Sequence, residues 1–519
     1  MFDEFDGMAI DELPELLKLK GPSLTTELID HWIGEGVSAA AARQRLARGL
    51  ASSGPAITRL AGLRFQHNAR FIYRDDQFGD RRFWDALERV FAGYAPSYAG
   101  AVSALKGRGG SVPAWLFAAV AGAPLARQRQ LSPARILERL RAIQLLTETT
   151  DEDDVPYVSF LPFHYAPDPP HVVRAHLLAE HVALEGLRNW VRRMGLGSYE
   201  QVRIRGDGKQ PEVSSLVWDL SAPSYARPLV GRSAKGLRPG FVVLDINLRN
   251  LDAPAVASFV RKHDLASAPP GVAPIMPFLI ADSFTQAGFG LARQKGVIAT
   301  TIEHLLGIEV AKALRDLIIL LTDMGATAAV NPEHLQRVFG TLTRIQGASD
   351  NLRGPLLELA VAYLVKEVEK GSIEVGKKVR HPLSGRSAEI DVMLLRPEGS
   401  GLLVIECKAK GPGTRLTLDM VQKWLVDRVP LIGECLRFQS RFAQQPLRFE
   451  LWTNAPIDPE AFLWLKQNSQ RYPDCEVGWR DGGAMKQYAN RAKSAAITAI
   501  LNEHFFLHPL VAKPKGKVA

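Results

Sequence analysis

The sequence predicts a multidomain protein that mixes α/β and α+β folds, and three observations lead there. The chain has 519 residues, several times what one core needs at roughly 100 to 200 residues per domain. Residues 1–165 alternate short helices with paired apolar strands. Residues 171–508 twice repeat an order of helix, three strands, helix and strand. Hydrophobic residues make up 46% and charged residues 23%, the balance of a soluble globular protein, so most of the chain should fold.

The formal charge of +9, with a pI near 9.4, favours a polyanionic partner, because Lys and Arg that neutralise phosphates release counterions. Three cysteines occur, Cys407, Cys435 and Cys475. None forms a CxxC pair and the count is odd, which excludes a disulfide framework and a zinc ribbon and fits a reducing compartment. The start of the chain, MFDEFDGMAIDELPELL, is acidic and has no basic or apolar leader region. No run reaches the roughly 18 apolar residues of a membrane span. A cytoplasmic protein without membrane partners is expected.

Residues 23–75 read as helix, turn, helix and a two-stranded ribbon: SLTTELIDHWIGEG, SAAAARQRLARGLASSG and ITRLAGLRFQHNARFIYR, with a turn at His67-Asn68. That is winged-helix order. Ser38 is a good N-cap, and Arg43, Arg45 and Arg48 lie near the solvent face of the second helix, as DNA contacts require. A second unit of this kind is expected at residues 97–160. There Ser132 caps, and Pro133 opens, the helix SPARILERLRAIQLL, which carries Arg135 and Arg139 as further DNA contacts, and VPYVSF follows as a strand. Packing against proteins is the competing role, since the wing candidate TETTDEDDV is acidic.

From residue 171 the elements are HVVRAHLLAEHVALEGLRNWVRRMG, YEQVRIRG, SSLVWDL, GFVVLDINL, APAVASFVRKH and PIMPFLIAD. From residue 354 they are GPLLELAVAYLVKEVEKG, SIEVGKKVR, AEIDVMLL, GLLVIECKAK, a long helix and LRFELWTN. Glu185 precedes Trp190 as Glu358 precedes Tyr363, and each set closes on a further apolar segment, QKGVIAT and DCEVGW. The pattern reads as a duplicated α/β core. The expected divisions are 1–90 and 91–165 for the winged-helix-like units and 166–305 for the first core. A helical connector at 306–350, the second core at 351–508 and a basic tail at 509–519 complete the chain.

In AEIDVMLL the alternation sets Asp391 against the apolar Ile390, Val392 and Leu394. The turn PEGSG should pair the next strand antiparallel, bringing Glu406 and Lys408 beside Asp391 while Cys407 faces the other way. Two carboxylates on neighbouring strands offer the hard oxygen donors that Mg²⁺ or Mn²⁺ prefers. A lysine two residues on can orient or deprotonate water and offset charge on phosphate oxygens. An exposed Glu/Lys pair can also be a plain cross-strand ion pair, but here it ends the apolar run LLVI, where charge is costly unless it serves a site.

A helix with Glu358, then SAEID, then IECKAK and a further helix resembles the PD-(D/E)XK, or restriction-endonuclease-like, superfamily over residues 350–490. The resemblance implies two restriction-endonuclease-like cores, the second with the intact motif. It also implies that Glu358, Asp391, Glu406 and Lys408 are the metal-binding and catalytic residues, with Asp391 and Glu406 on the metal. The implied activity is a DNA endonuclease, leaving 5′-phosphate and 3′-hydroxyl ends and serving restriction or anti-phage defence. Here Glu389 stands before Asp391 in place of the family's proline. Gln422 on the next helix matches a substrate-contacting Gln of some branches.

The first core carries Glu185, Asp219, Asp245 and Asn247 at the corresponding places. Asn247 replaces the lysine and can neither carry charge nor take up a proton. This copy is expected to be a degenerate site that braces DNA; alternatively Asp219 and Asp245 hold a metal with Lys235 or Lys209 as the lysine. No GxxxxGK[ST], HExxH or GxSxG occurs, and GRGGS near Gly109, His171 and His176 read as structural. Double-strand cleavage would need a homodimer or two visits. An inert DNA-binding regulator, and a nuclease gated by a nucleotide or a partner protein, are the rival functions.

Overall fold

The computed structural model describes residues 12–506 apart from 53–56, 64, 66–67, 152–154, 234–235, 323–331, 346–347, 398–400, 412 and 493. His67, Lys235, the centre of the acidic wing candidate and the basic tail lie outside the described residues. The chain is a mixed α/β, multidomain protein that divides into two compact units. One comprises residues 1–149, 156–173 and 191–301, the other 150–155, 174–190 and 302–519. Among the described residues no helix is long and apolar enough to cross a membrane.

The first unit begins with helices Glu12–Lys20, Thr25–Gly34 and Ala39–Ser52, packed through Leu13, Leu17, Leu28, Trp32, Ala42 and Leu46. Ser38 Oγ accepts from the Ala41 amide at 3.3 Å and so caps the third helix. Beside them a small antiparallel sheet has strand Phe71–Arg74 between Ser23–Leu24 and Ile57–Arg59. Asn68 turns with φ 54°, a conformation asparagine tolerates. A second small sheet places Pro156–Phe160 between Ser111–Pro113 and Leu146–Thr150. Ser132 caps Pro133–Ala142 as its sequence suggests.

The larger sheet of the first unit follows helix α1 (Pro96–Gly107) and helix α2 (Pro170–Arg193). Its strands are β1 (Arg203–Ile204), β2 (Leu220–Ser224), β3 (Gly240–Leu251), β4 (Ile275–Phe284) and β5 (Ile298–Thr301). They lie side by side in chain order. The pairs β1/β2 and β2/β3 are antiparallel, and β3/β4 and β4/β5 are parallel. Parallel neighbours need crossovers. Helix α3 (Ala253–Ser267) and helix α4 (Gln286–Gln294) supply them. The second strand differs from expectation: SSLVWDL gives a short hairpin edge at Leu216–Val217, and the sheet strand is Leu220–Ser224.

The second unit contains helix α5 (Ala348–Glu369), then β6 (Ser372–Arg380), β7 (Ser387–Leu395) and β8 (Leu402–Lys408). Helix α6 (Leu418–Gln422) leads through a π-helical turn, Lys423–Arg428, into helix α7 (Val429–Arg437). Pro430 has no N–H for the ordinary ladder, which suits a break in register at this place. Strand β9 (Leu447–Thr453), helix α8 (Pro459–Asn468) and β10 (Cys475–Arg480) follow. The order β6-β7-β8-β9-β10 runs antiparallel, antiparallel, parallel, parallel, the topology of the first unit. Trp424, Leu425, Ile432, Cys435 and Leu436 bury one face against Ile390, Val404, Phe449 and Leu451.

Candidate active site

Strands β7 and β8 pair from Leu395/Leu402 to Val392/Ile405, and the ladder then ends. One residue on, the Cys407 amide donates to Asp391 Oδ2 at 2.6 Å in place of a backbone bond. Gly376 of β6, opposite Asp391 by count, has φ +61°; this left-handed conformation suits glycine and releases Asp391 from pairing on that side. On its other edge β8 stays paired to β9 through Lys408 and Thr453. The strands therefore part at Asp391 and Glu406, with rigid sheet on both sides.

Glu406 is only 3% exposed. Lys408 Nζ donates to its Oε1 at 2.6 Å, and Arg428 Nε stands 3.0 Å from Oε2. Arg428 Nη2 also donates to the Glu389 carbonyl at 2.6 Å. Burial, with the charges of Glu406 and Glu358, pushes the Asp391 carboxyl well above the usual range. Glu358, on α5, is pushed up to about 7 by burial and by the charges of Glu389 and Glu406, against the lowering pull of Lys408. Burial alone would lower Lys408, but Glu406 and Asp391 outweigh it and hold its ammonium above the ordinary value.

These acids repel one another, and hard oxygen donors in such a cluster are chemically suited to a divalent cation. Among the described residues no group of three or more His, Cys, Asp or Glu is placed to hold a metal at once. Both oxygens of Glu406 are turned to Lys408 and Arg428. The donor types and charge fit Mg²⁺ or Mn²⁺, while the present pose of Glu406 directs it to cations of the chain itself.

The first unit repeats the local pattern with different chemistry. Strands β2 and β3 pair as far as Leu220/Leu244; just beyond, the Ile246 amide donates to Asp219 Oδ2 at 2.9 Å. Asp219 also accepts from Arg205 Nη1 at 2.8 Å and Arg108 Nη2 at 3.3 Å. Burial raises its carboxyl, but Arg205, Arg108 and Lys262 outweigh that and hold it below the ordinary value. Lys262 Nζ, from α3, donates to Asp245 Oδ2 at 2.5 Å and lies 4.4 Å from the Trp218 ring centre. Asp245 still ends above its ordinary value, through burial and the charge of Asp219 and despite Lys262. Arg108, Asp219, Asp245 and Lys262 line a small cavity of about 60 Å³ with Asn247 and Ser258.

No family model matches the chain, and no curated protein does. Among solved structures, the crystal structure of a repair endonuclease from Pyrococcus abyssi is similar, at 16% identity and a TM-score of 0.16. The match covers 30% of this chain and 64% of that one. The chain thus spans less than two thirds of that structure. A likeness this slight fixes neither the fold nor the activity.

The structure brings Asp391, Glu406 and Lys408 together and places Glu358 within their electrostatic reach. Gln422, half-buried, ends α6 immediately before the π turn. Arg43, Arg45 and Arg48 are exposed. Arg135 is exposed and ion-paired to Glu138 at 3.0 Å. Arg139 is half-buried, and its Nη1 donates to the Tyr98 hydroxyl of α1 at 2.9 Å.

In the first unit three findings bear on the expectations. Glu185 belongs to the stretch of α2 that packs in the second unit, where it pairs with Arg188 at 3.6 Å, and it is not part of the Asp219 network. Asn247 lines the cavity with Asp219 and Asp245 and donates its side-chain amide to the Gly107 carbonyl at 2.8 Å. The lysine at Asp245 is Lys262 and not the exposed Lys209. Sequence reasoning missed Lys262 and Arg428. A signal existed for the first: Ala255, Phe259, Lys262 and Ala266 recur at helical spacing on a buried face.

Proposed function

We propose that the second unit is a metal-dependent phosphodiesterase of the PD-(D/E)XK type that cuts DNA. The observation that carries this is the parting of β7 and β8 at Asp391 and Glu406, with Lys408 fixed 2.6 Å from Glu406. In this reading Asp391 and Glu406 hold Mg²⁺ or Mn²⁺, which supplies Lewis-acid polarisation of the phosphate and of the attacking water.

The residues divide the remaining work by charge state. Lys408, held cationic by its two acid neighbours, donates to a non-bridging phosphate oxygen and offsets the charge that grows there; it is not the proton acceptor at neutral pH. Glu358, raised to about 7 in the metal-free protein and lowered by a neighbouring divalent charge when the metal is bound, would be ionised near neutrality and able to accept the water's proton. The water oxygen bonds to phosphorus in line as the P–O3′ bond breaks and O3′ takes up a proton from solvent water, leaving a 5′-phosphate and a 3′-hydroxyl, the polarity the family resemblance implies.

Duplex DNA as substrate draws support from the net charge of +9 and the exposed row Arg43, Arg45 and Arg48. The two units resemble a duplicated core preceded by winged-helix-like modules, with the first core inert because cations of the chain fill the place beside its acids. A restriction or anti-phage role rests on the family resemblance alone.

The test is a cleavage panel on supercoiled, linear and single-stranded DNA with Mg²⁺ or Mn²⁺. Wild type and Asp245→Ala should cut, while Asp391→Asn and Lys408→Ala should lose on the order of a hundredfold or more in rate. Equal rates for Lys408→Ala and wild type would reject the site, and an intact panel of substrates would reject the activity.

A further inference from the structure

We propose that Arg428 is a stand-in cation that occupies the metal's place at Glu406 until a divalent ion displaces it. This rests on the reading of the second unit as metal-dependent. It accounts for an otherwise awkward arrangement, in which the acid best placed on β8 faces two of the chain's own cations.

Arg428 is the last residue of the π turn and has two attachments to the site. Its Nε lies 3.0 Å from Glu406 Oε2, and its Nη2 donates to the Glu389 carbonyl. The bond to Glu389 O aims the guanidinium across the gap between β7 and β8. Its Nε is buried and makes no aligned hydrogen bond, so the contact with Glu406 is one of charge more than of directed bonding. A guanidinium tied to Glu406 by charge and to the Glu389 carbonyl by one hydrogen bond, at the end of a turn with an irregular ladder, can be exchanged for a better cation.

The first unit supplies an independent comparison. There too the helix after the third strand sends a cation to that strand's acid: Lys262 reaches Asp245. The difference is accessibility. The Lys262 side chain is 3% exposed and Asp219 is further held by Arg108 and Arg205, whereas the Arg428 side chain is 29% exposed. One cation is built in, and the other can swing to solvent. Displacement of Arg428 frees Glu406 Oε2 while Lys408 keeps Oε1.

The experiment is Mn²⁺ binding to the full chain without DNA, followed by the electron paramagnetic resonance signal of free Mn²⁺. Arg428→Gln should bind Mn²⁺ roughly tenfold more tightly than wild type, because a ligand gains apparent affinity when its competent state no longer competes with another. Arg428→Lys, which keeps the charge and loses the reach to Glu389, should fall between them and covers the case in which the glutamine variant does not fold. Unchanged or weaker binding in the folded variants overturns the stand-in role while leaving the metal site intact. Absence of Mn²⁺ binding in wild type and variants alike overturns both this inference and the metal-dependent reading.

Discussion

Lys262 donates to Oδ2 of Asp245 at 2.5 Å from a helix, beside a strand whose own candidate position holds Asn247. The first unit's acids thereby meet a cation lent by a helix of the same unit. In the second unit the strand keeps its lysine, Lys408, and the Asp391 and Glu358 carboxyls are raised. Two sheets of one topology thus draw the lysine beside their acids from different elements, a helix in the first and the strand itself in the second.

Removing Lys262 should cost stability, since breaking a buried pair strands a charge, at roughly 3 to 5 kcal/mol. Lys262→Ala is expected to lower the urea midpoint of the first unit's transition. The double change Lys262→Met with Asp245→Asn should recover much of the loss, and cleavage by the second unit should persist wherever the protein is folded. A Lys262→Ala protein as stable as wild type would show the pair to be idle.

Glu358 gives a pH signature. Its carboxyl stands at about 7 in the folded protein against 4.5 ordinarily, so the folded state holds a proton that the unfolded chain releases first. Its stabilising contribution is complete below about pH 4.5 and is lost as pH rises through about 7, by up to about 3 kcal/mol. Denaturant titrations at pH 5 and pH 8 should show this loss in metal-free wild type and a smaller one in Glu358→Gln. The cleavage rate should rise with pH in wild type, from a midpoint below that of the metal-free carboxyl because the divalent ion favours the charged form, and flatten in the variant.

If Arg43, Arg45 and Arg48 meet phosphates, replacing all three with Gln should weaken DNA binding and flatten its salt dependence by up to about 3 in log–log slope. Fluorescence anisotropy across a salt series measures this. An unchanged slope would return that helix to protein packing.

Glu450 is 3% exposed and shared by Arg448 Nη2 at 2.7 Å, Arg480 Nε at 3.0 Å and the Trp452 indole at 2.8 Å. Glu450→Ala should destabilise the second unit by roughly 3 kcal/mol or more, since it leaves buried donors without their acceptor. Thermal unfolding reads the effect, and a shift below 1 °C would show that water replaces the carboxylate.

The strands were legible where side chains alternate or run apolar: Ile390, Val392 and Leu394 around Asp391, and Leu402 to Ile405 before Glu406. Helix caps at Ser38 and Ser132 were legible because capping is local. What escaped was tertiary. Which element lends a cation to a carboxylate depends on how a helix lies over a sheet, so Lys262 and Arg428 could not be paired with Asp245 and Glu406 from spacing. Glu185 failed for a related reason: its place in the repeat matched Glu358, yet α2 is divided between two units. Pro223 within LSAPS also hid β2, since proline in a strand argues against pairing.

Cys407, next to Glu406 in β8, is 7% exposed, and its thiol is pushed well above its ordinary value by burial and by the charges of Asp391, Glu358 and Glu406. A maleimide or disulfide reagent cannot find the thiolate there while β8 stays in the sheet. Cys435 is likewise buried, and Cys475 is the partly accessible one of the three. With Cys435 and Cys475 replaced, the labelling rate of Cys407 becomes a clock for how often the strand that carries Glu406 and Lys408 comes open.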